Sequence, residues 1–276
     1  MTLLSGLIAT FAMALPSAPE VLKFNVDGQE RTAILFRPRG KVEHPRIYFA
    51  YHGLGGSGGI AALQFRIQDL DPDAAVIYPT GIPINDNGIV GTKNGWQIRP
   101  GQSDNRDIKF IDQLVKWTDQ NLHVAPKQRF ILGHSNGSFF TWVVLRERPN
   151  VFARYVGFCG LMVPARDKAP AKPALIISGK DDTLIPTKRV KELSEHLAAN
   201  NKCDSPIGTN PIVHPGKAPV IYYEYDGGHS PTKESIDLAV RYCQTGKVTV
   251  PKSLESSSLI APWTSGSIEL VNHWLK

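Results

Sequence analysis

The sequence predicts an α/β fold, a mainly parallel sheet with helices on both faces. Three observations carry that reading. From residue 46 onward, short apolar runs of strand length alternate with helical segments, the pattern of a parallel sheet covered by its own crossovers. Several of these runs are apolar throughout, as strands buried on both faces are. One of them, Arg129-Phe130-Ile131-Leu132, runs directly into Gly133-His134-Ser135-Asn136-Gly137 and then a helix. With 276 residues, 42% of them hydrophobic, the chain can bury the core of one large domain, expected over residues 19–276.

Each element follows from local pattern. Residues 21–26 and 31–36 flank Asp27-Gly28 and read as a hairpin with its turn signal in the middle. Residues 46–52 form a strand that leads into Gly53-Leu54-Gly55-Gly56-Ser57-Gly58-Gly59, with a helical stretch to about residue 68. Residues 74–78 are the next strand, closed by Pro79. Residues 81–104, rich in Gly, Asn and Asp, read as a long loop. Loops of that length in compact domains are usually functional or mobile. Over 107–122, Ile108, Ile111, Leu114 and Val115 recur at helical spacing. Residues 130–132 enter the Gly-x-Ser-x-Gly turn, and 138–148 continue as helix to Pro149. Residues 155–159 and 174–178 are buried strands, and 187–200 an amphipathic helix with Val190, Leu193 and Leu197 inward. Residues 220–225 form a strand ending at Asp226-Gly227-Gly228-His229. Beyond it, 234–244 and 267–275 read as helices joined by an irregular link.

Composition narrows the function classes. The net charge of +6 is dispersed, without the basic stripe and interleaved aromatics of a nucleic-acid binder, so no nucleic-acid partner is expected. The apolar run at the N-terminus ends in Ala12-Met13-Ala14, the small-x-small pattern of a cleaved secretory leader, although a positively charged start is absent. Residues 1–18 are therefore expected to be a signal peptide and the mature protein to be secreted, extracellular or periplasmic. The alternative is a buried N-terminal helix. No later segment is long and apolar enough to cross a membrane. Of the three cysteines, Cys159 lies in an apolar run and reads as a buried thiol. Cys203 and Cys243 each follow a helical segment and could form a disulfide in an exported protein; sequence does not give connectivity. No Cys/His spacing resembles a zinc site.

The chemistry is concentrated at Ser135. A serine placed on a tight strand-to-helix turn needs small neighbours, which Gly133 and Gly137 supply. The N–H of Asn136, at the helix start, would face a developing oxyanion. The run Gly55-Gly56-Ser57-Gly58-Gly59 also matches Gly-x-Ser-x-Gly. It is glycine-rich throughout and follows an early strand, the place of an oxyanion loop. Leu54 N–H is the expected second donor there, with Gly53 and Gly55 as alternatives. A serine hydroxyl needs a base, and the base an orienting acid. Asp181 and Asp182 follow one later strand and His229 the next, giving the order Ser, Asp, His. Asp226 is a further candidate acid. His134 occupies the variable position of the turn and reads as a shape element; His52, His123 and His214 read as structural.

Several stretches together resemble the polyhydroxybutyrate depolymerase and feruloyl esterase group of α/β-hydrolases. They are His52-Gly53 with the glycines after it, Asn94-Gly95-Trp96, Asp107-Ile108-Lys109-Phe110-Ile111, the 133–138 turn, Ser178-Gly179-Lys180-Asp181-Asp182-Thr183-Leu184-Ile185-Pro186, and Gly228-His229-Ser230. The resemblance covers about residues 44–230. It implies an α/β-hydrolase fold and a serine esterase, and its acid-loop motif selects Asp182 over Asp181. It also places Trp96 near the substrate cleft, where it is either a substrate contact or a loop anchor packed on the core. The chain departs from the group at Ser178, where a histidine is usual, and after Ser230, where a tryptophan is often found.

The mechanism so implied is acyl transfer through Ser135, with His229 as base, Asp182 as its orienting acid, and Leu54 and Asn136 as oxyanion donors. It requires no metal or cofactor. The expected partner is a small ester, or an ester linked to a polysaccharide or polyester: feruloyl, acetyl or hydroxyalkanoate. The alternatives are a peptidase or amidase on the same fold and a secreted, non-catalytic binding protein.

Overall fold

The computed structural model describes residues 18–86, 89–164 and 167–248. Residues 1–17 of the expected leader and the expected helix at 267–275 lie outside the described residues. The chain opens with β1 (Glu20–Val26) and β2 (Gln29–Phe36), an antiparallel hairpin turning at Asp27-Gly28 as its sequence predicts. Then come β3 (Ile47–Tyr51), α1 (Gly58–Phe65), the short α2 (Ile67–Leu70) and β4 (Ala75–Pro79). They are followed by β5 (Ile82–Asp86), β6 (Ile89–Gly95), α3 (Arg106–Leu122), β7 (Arg129–His134) and α4 (Asn136–Glu147). The described part closes with β8 (Arg154–Phe158), β9 (Ala174–Gly179), α5 (Thr187–Asn200), β10 (Ile212–His214), β11 (Val220–Tyr225) and α6 (Lys233–Thr245).

Nine strands form one sheet in the order β1-β2-β4-β3-β7-β8-β9-β11-β10. From β4 to β11 every neighbouring pair is parallel, and antiparallel strands close both ends. The central strands separate two cores by strict alternation. Ile47, Phe49 and Tyr51 of β3 face the core under α3, α4 and α5, while Tyr48 and Ala50 face the core under α1, α2 and α6. Both faces are therefore buried, which is why these strands read as unbroken apolar runs. In such sheets ligand loops gather at the carboxyl ends of the strands, and the ends of β3, β7, β9 and β11 all carry candidate site residues. No helix among the described residues is long and apolar enough to cross a membrane.

Two expectations need correction. The stretch 81–104 is not an irregular loop: β5 and β6 pair with each other as a two-stranded antiparallel sheet outside the main one. Its glycines serve close backbone approach, since a Cβ on Gly81 would lie 2.7 Å from the Gly95 carbonyl oxygen and one on Gly91 would collide with that of Ile84. The disulfide between Cys203 and Cys243 does not form; both thiols are free. Cys203 packs on the core under α3–α5 and Cys243 lies in the core under α6, so the sheet stands between them.

Candidate active site

The site begins at the turn between β7 and α4. Ser135 has φ 52° and ψ −121°, a conformation that costs an ordinary residue about 1–3 kcal/mol and persists only where the surroundings enforce it. They do so here. Ser135 N–H donates to the Phe158 carbonyl at 2.9 Å, and the Ser135 carbonyl accepts from Ser138 N–H at 2.8 Å. A Cβ on Gly133 would collide with the Gly137 carbonyl, and one on Gly137 would lie 2.5 Å from the Tyr51 oxygen. The two motif glycines are thus required by contact with the turn itself and with the end of β3.

Asp182 and His229 meet across the ends of β9 and β11. His229 Nδ1 lies 2.8 Å from Asp182 Oδ2, with both side chains buried. The other carboxylate oxygen, Oδ1, accepts two backbone N–H bonds, from Leu184 and Ile185, each at 2.9 Å. Burial by itself would raise the Asp182 carboxyl pKa; the hydrogen bond with His229 and the two N–H donors outweigh it and hold the pKa below the usual carboxylate range. An ionised acceptor keeps the proton on His229 Nδ1 and the lone pair on Nε2. The rival acids stand elsewhere: Asp181 is exposed, and Asp226 pairs with Lys180 at 2.6 Å. Ser57 is the N-cap of α1, its hydroxyl accepting from Ile60 N–H at 3.3 Å.

The glycine run after β3 is held as a shaped loop. His52 Nδ1 donates to the Gly53 carbonyl at 2.6 Å, and its Nε2 accepts from Gly81 N–H at 2.8 Å. Burial pushes this imidazole down to about 4, so it is neutral and its tautomer is fixed by these two partners. Gly55 N–H is committed to the Asn94 carbonyl at 2.7 Å, which removes one alternative donor. No acceptor among the described residues takes the N–H of Leu54 or of Asn136.

The side chain of Asn136 does something its motif position did not announce. Its Oδ1 accepts Trp96 N–H at 2.7 Å and its Nδ2 donates to the Trp96 carbonyl at 3.1 Å. The residue after Ser135 therefore grips the backbone where β6 ends. Trp96 itself is fully buried, stacked on Phe140 at 5.5 Å and donating from Nε1 to the His52 carbonyl at 3.0 Å. As a substrate contact Trp96 is thus corrected: it is the anchor on which the glycine run after β3 and the Ser135 turn both rest. The Asp107 stretch has a related duty. Asp107 pairs with buried Arg31 at 2.8 Å and accepts Gln97 N–H at 2.7 Å, fixing the segment just past Trp96.

One further group crowds the acid. Cys159 Sγ and one ligating atom from each of Asp182 and His229 lie within 4.8 Å of one another. Burial pushes the Cys159 thiol pKa up, and Sγ sits 3.2 Å from the Tyr225 hydroxyl. A protonated thiol is a poor nucleophile and a poor metal ligand, so Cys159 serves as packing behind the carboxylate.

Known proteins are similar to this chain in fold and, over part of its length, in sequence. Among solved structures, acetyl xylan esterase from Aspergillus awamori matches with a TM-score of 0.61 at 16% identity, over 81% of this chain and 99% of that one. The Bacillus cereus carboxylesterase matches with 0.58 at 18%, over 79% and 95%. The fold is the α/β-hydrolase fold. Probable feruloyl esterase C of Aspergillus clavatus is 26% identical over 150 residues, half of this chain and 54% of that protein. Feruloyl esterase C of Emericella nidulans is 25% identical over the same shares. Over these 150 residues the chain is similar to feruloyl esterases. It spans about half the length of the curated relatives it matches, and no family model matches it.

Proposed function

We propose that this chain hydrolyses carboxylic esters through an acyl-enzyme on Ser135. His229 takes the hydroxyl proton as Ser135 attacks the ester carbonyl, and Asp182 holds the imidazole and stabilises its cation. The N–H groups of Leu54 and Asn136 receive the oxyanion, and water then releases the acyl group. The observation that carries this reading is the buried contact of His229 Nδ1 with an Asp182 carboxylate whose other oxygen is already satisfied. An orienting acid built this way has the geometry a serine's base requires. The preferred substrates are feruloyl or acetyl esters of polysaccharides, supported by the names of the relatives, with hydroxyalkanoate esters as the second class. The place of action is outside the cytoplasm, supported by the leader pattern at 1–18.

The test is Ser135→Ala on the purified protein, with p-nitrophenyl acetate, feruloyl and hydroxybutyrate esters beside a peptide panel. Ester hydrolysis is expected in the parent and is expected to vanish in the variant, along with labelling by a fluorophosphonate. A variant that hydrolyses p-nitrophenyl acetate like the parent would sink the assignment. Cleavage confined to the peptides would favour a peptidase.

A further inference from the structure

His134 fills the variable position of the Gly-x-Ser-x-Gly turn, yet its buried ring makes two directed bonds. Its Nε2 lies 2.8 Å from the His229 carbonyl oxygen, so Nε2 carries the hydrogen and donates. Its Nδ1 then holds the lone pair and accepts from Gln64 Nε2 at 3.3 Å, a residue of α1. Burial and the neighbouring His229 keep this imidazole neutral, its pKa down to about 3. The two rings stand 5.0 Å apart between centroids.

The loop that carries His229 has little stiffness of its own. Gly227 sits at φ 148° and is followed by a second glycine. Three successive carbonyls of this loop are held by three different donors. The Gly227 carbonyl accepts Asp181 N–H at 2.9 Å and that of Gly228 accepts the Tyr225 hydroxyl at 2.8 Å. The third, that of His229, is held by His134. The first two donors belong to the ends of β9 and β11, the strands that carry the acid and the base. The third stands beside Ser135 on β7, so it ties the base directly to the strand of the nucleophile.

We propose that His134 is a positioning residue, setting the backbone of His229 relative to Ser135 through its Nε2–H bond to the His229 carbonyl, with Gln64 fixing the tautomer that donates. The inference rests on the reading of His229 as the base for Ser135. A neutral ring is the right one for this place, because a second positive charge beside His229 would oppose the imidazolium that forms when the serine gives up its proton. The hydrogen bond also joins three separate elements: α1 after the oxyanion loop, the nucleophile's own strand, and the base loop.

The experiment compares His134→Leu, His134→Gln, Gln64→Ala and Ser135→Ala on a soluble p-nitrophenyl ester, with thermal unfolding as the fold check. Leucine fills the space without a donor, whereas the Nε2 of glutamine falls near that of histidine. His134→Leu is expected to lower kcat about tenfold or more with KM changed by about twofold or less, since misplacing the base by a fraction of an ångström acts on the chemical step. His134→Gln is expected to recover most of that loss. Gln64→Ala leaves the buried ring in place and is expected to lower kcat about threefold, with the same split; it carries the test should the His134 variants not fold. Parental kcat in folded His134→Leu, or in Gln64→Ala, overturns the proposal. So does a His134→Gln protein no better than the leucine variant, which would mean that packing alone matters. Ser135→Ala separates the two failures. If it is inactive while His134→Leu is unimpaired, only the positioning role falls; if it stays active, the base assignment falls and this role with it.

Discussion

Replacing Asp182 by asparagine should reverse the tautomer of His229. Oδ1 of Asp182 accepts the Leu184 and Ile185 N–H groups, both at 2.9 Å, while Oδ2 faces His229 Nδ1 at 2.8 Å. An asparagine must put its single oxygen in one of these places. With the oxygen on the Oδ2 side, an NH2 group would face two buried N–H donors, and each orphaned donor costs about 1–3 kcal/mol. The oxygen therefore stays where Oδ1 was, and the NH2 group points at His229 Nδ1. That nitrogen must then accept, its proton moves to Nε2, and Nε2 can no longer take the Ser135 proton that the proposed mechanism assigns to it. The imidazolium also loses its counter-charge. In serine hydrolases the wrong tautomer costs about four orders of magnitude in kcat, or roughly 5 kcal/mol of transition-state stabilisation. Steady-state kinetics on a p-nitrophenyl ester near neutral pH would measure this, with KM expected to move little and thermal unfolding confirming the fold. Exposed Asp181 supplies the control, because Asp181→Asn removes a charge one residue away and should leave kcat near the parental value. A kcat for Asp182→Asn within tenfold of the parent, or an equal loss in Asp181→Asn, would refute the reasoning.

Stability should fall as the medium is acidified from about pH 6.5 toward 4, well before ordinary carboxylates titrate. Buried His52 and His134 are held near 4 and near 3, below the free imidazole value, so the unfolded chain binds protons that the folded chain refuses. Each group then subtracts about 1.4 kcal/mol per pH unit below its unfolded pKa, roughly 2–3 kcal/mol per unit for the two together. Asp182, whose pKa is also lowered, adds a loss of the same sign once the pH drops below the usual carboxylate range. Urea unfolding as a function of pH measures the slope, and a flat profile between pH 6.5 and 4.5 would show that neither imidazole is held neutral. The three cysteines give a simpler test. Without reductant, the denatured protein should titrate three thiols, and dithiothreitol should leave the melting temperature unchanged; a single titrating thiol would restore the Cys203–Cys243 bridge.

What could be read from the sequence was what local pattern controls. The hairpin at Asp27-Gly28 and the helix over 187–200 stand where periodicity and turn chemistry put them. So does the Gly-x-Ser-x-Gly turn, because its glycines answer to backbone contacts within a few residues or at the adjacent strand end. The choice of Asp182 over Asp181 needed a motif, since both follow the same strand and only tertiary placement turns one toward His229. Three features were not legible, each for the same reason. The β5–β6 pair has a partner only in itself, and its glycines look like loop residues until the second strand is present. The short edge strand β10 exists by pairing with β11 and has no pattern of its own. Trp96 was placed near substrate by its motif, yet its ring lies between His52 and Phe140, residues on two different elements.

The side chains on either side of Ser135 show what such long-range bonds accomplish. Asn136 reaches back 40 residues to the Trp96 backbone, and His134 reaches forward 95 residues to the His229 carbonyl. One bond fixes the end of β6, where the Asn94 carbonyl in turn accepts the Gly55 N–H of the glycine run after β3. The other holds the carbonyl of His229, the proposed base. The groups that the proposed mechanism brings together come from the ends of β3, β7, β9 and β11, so their spacing cannot be set by any one of those strands. The turn contributes to that spacing, because the residues on both sides of Ser135 extend in opposite directions, Asn136 to the Trp96 backbone and His134 to the His229 carbonyl. A Gly-x-Ser-x-Gly motif read as glycines around a serine therefore omits half of its content: the glycines make the turn possible, and the two residues between them hold the rest of the site to it.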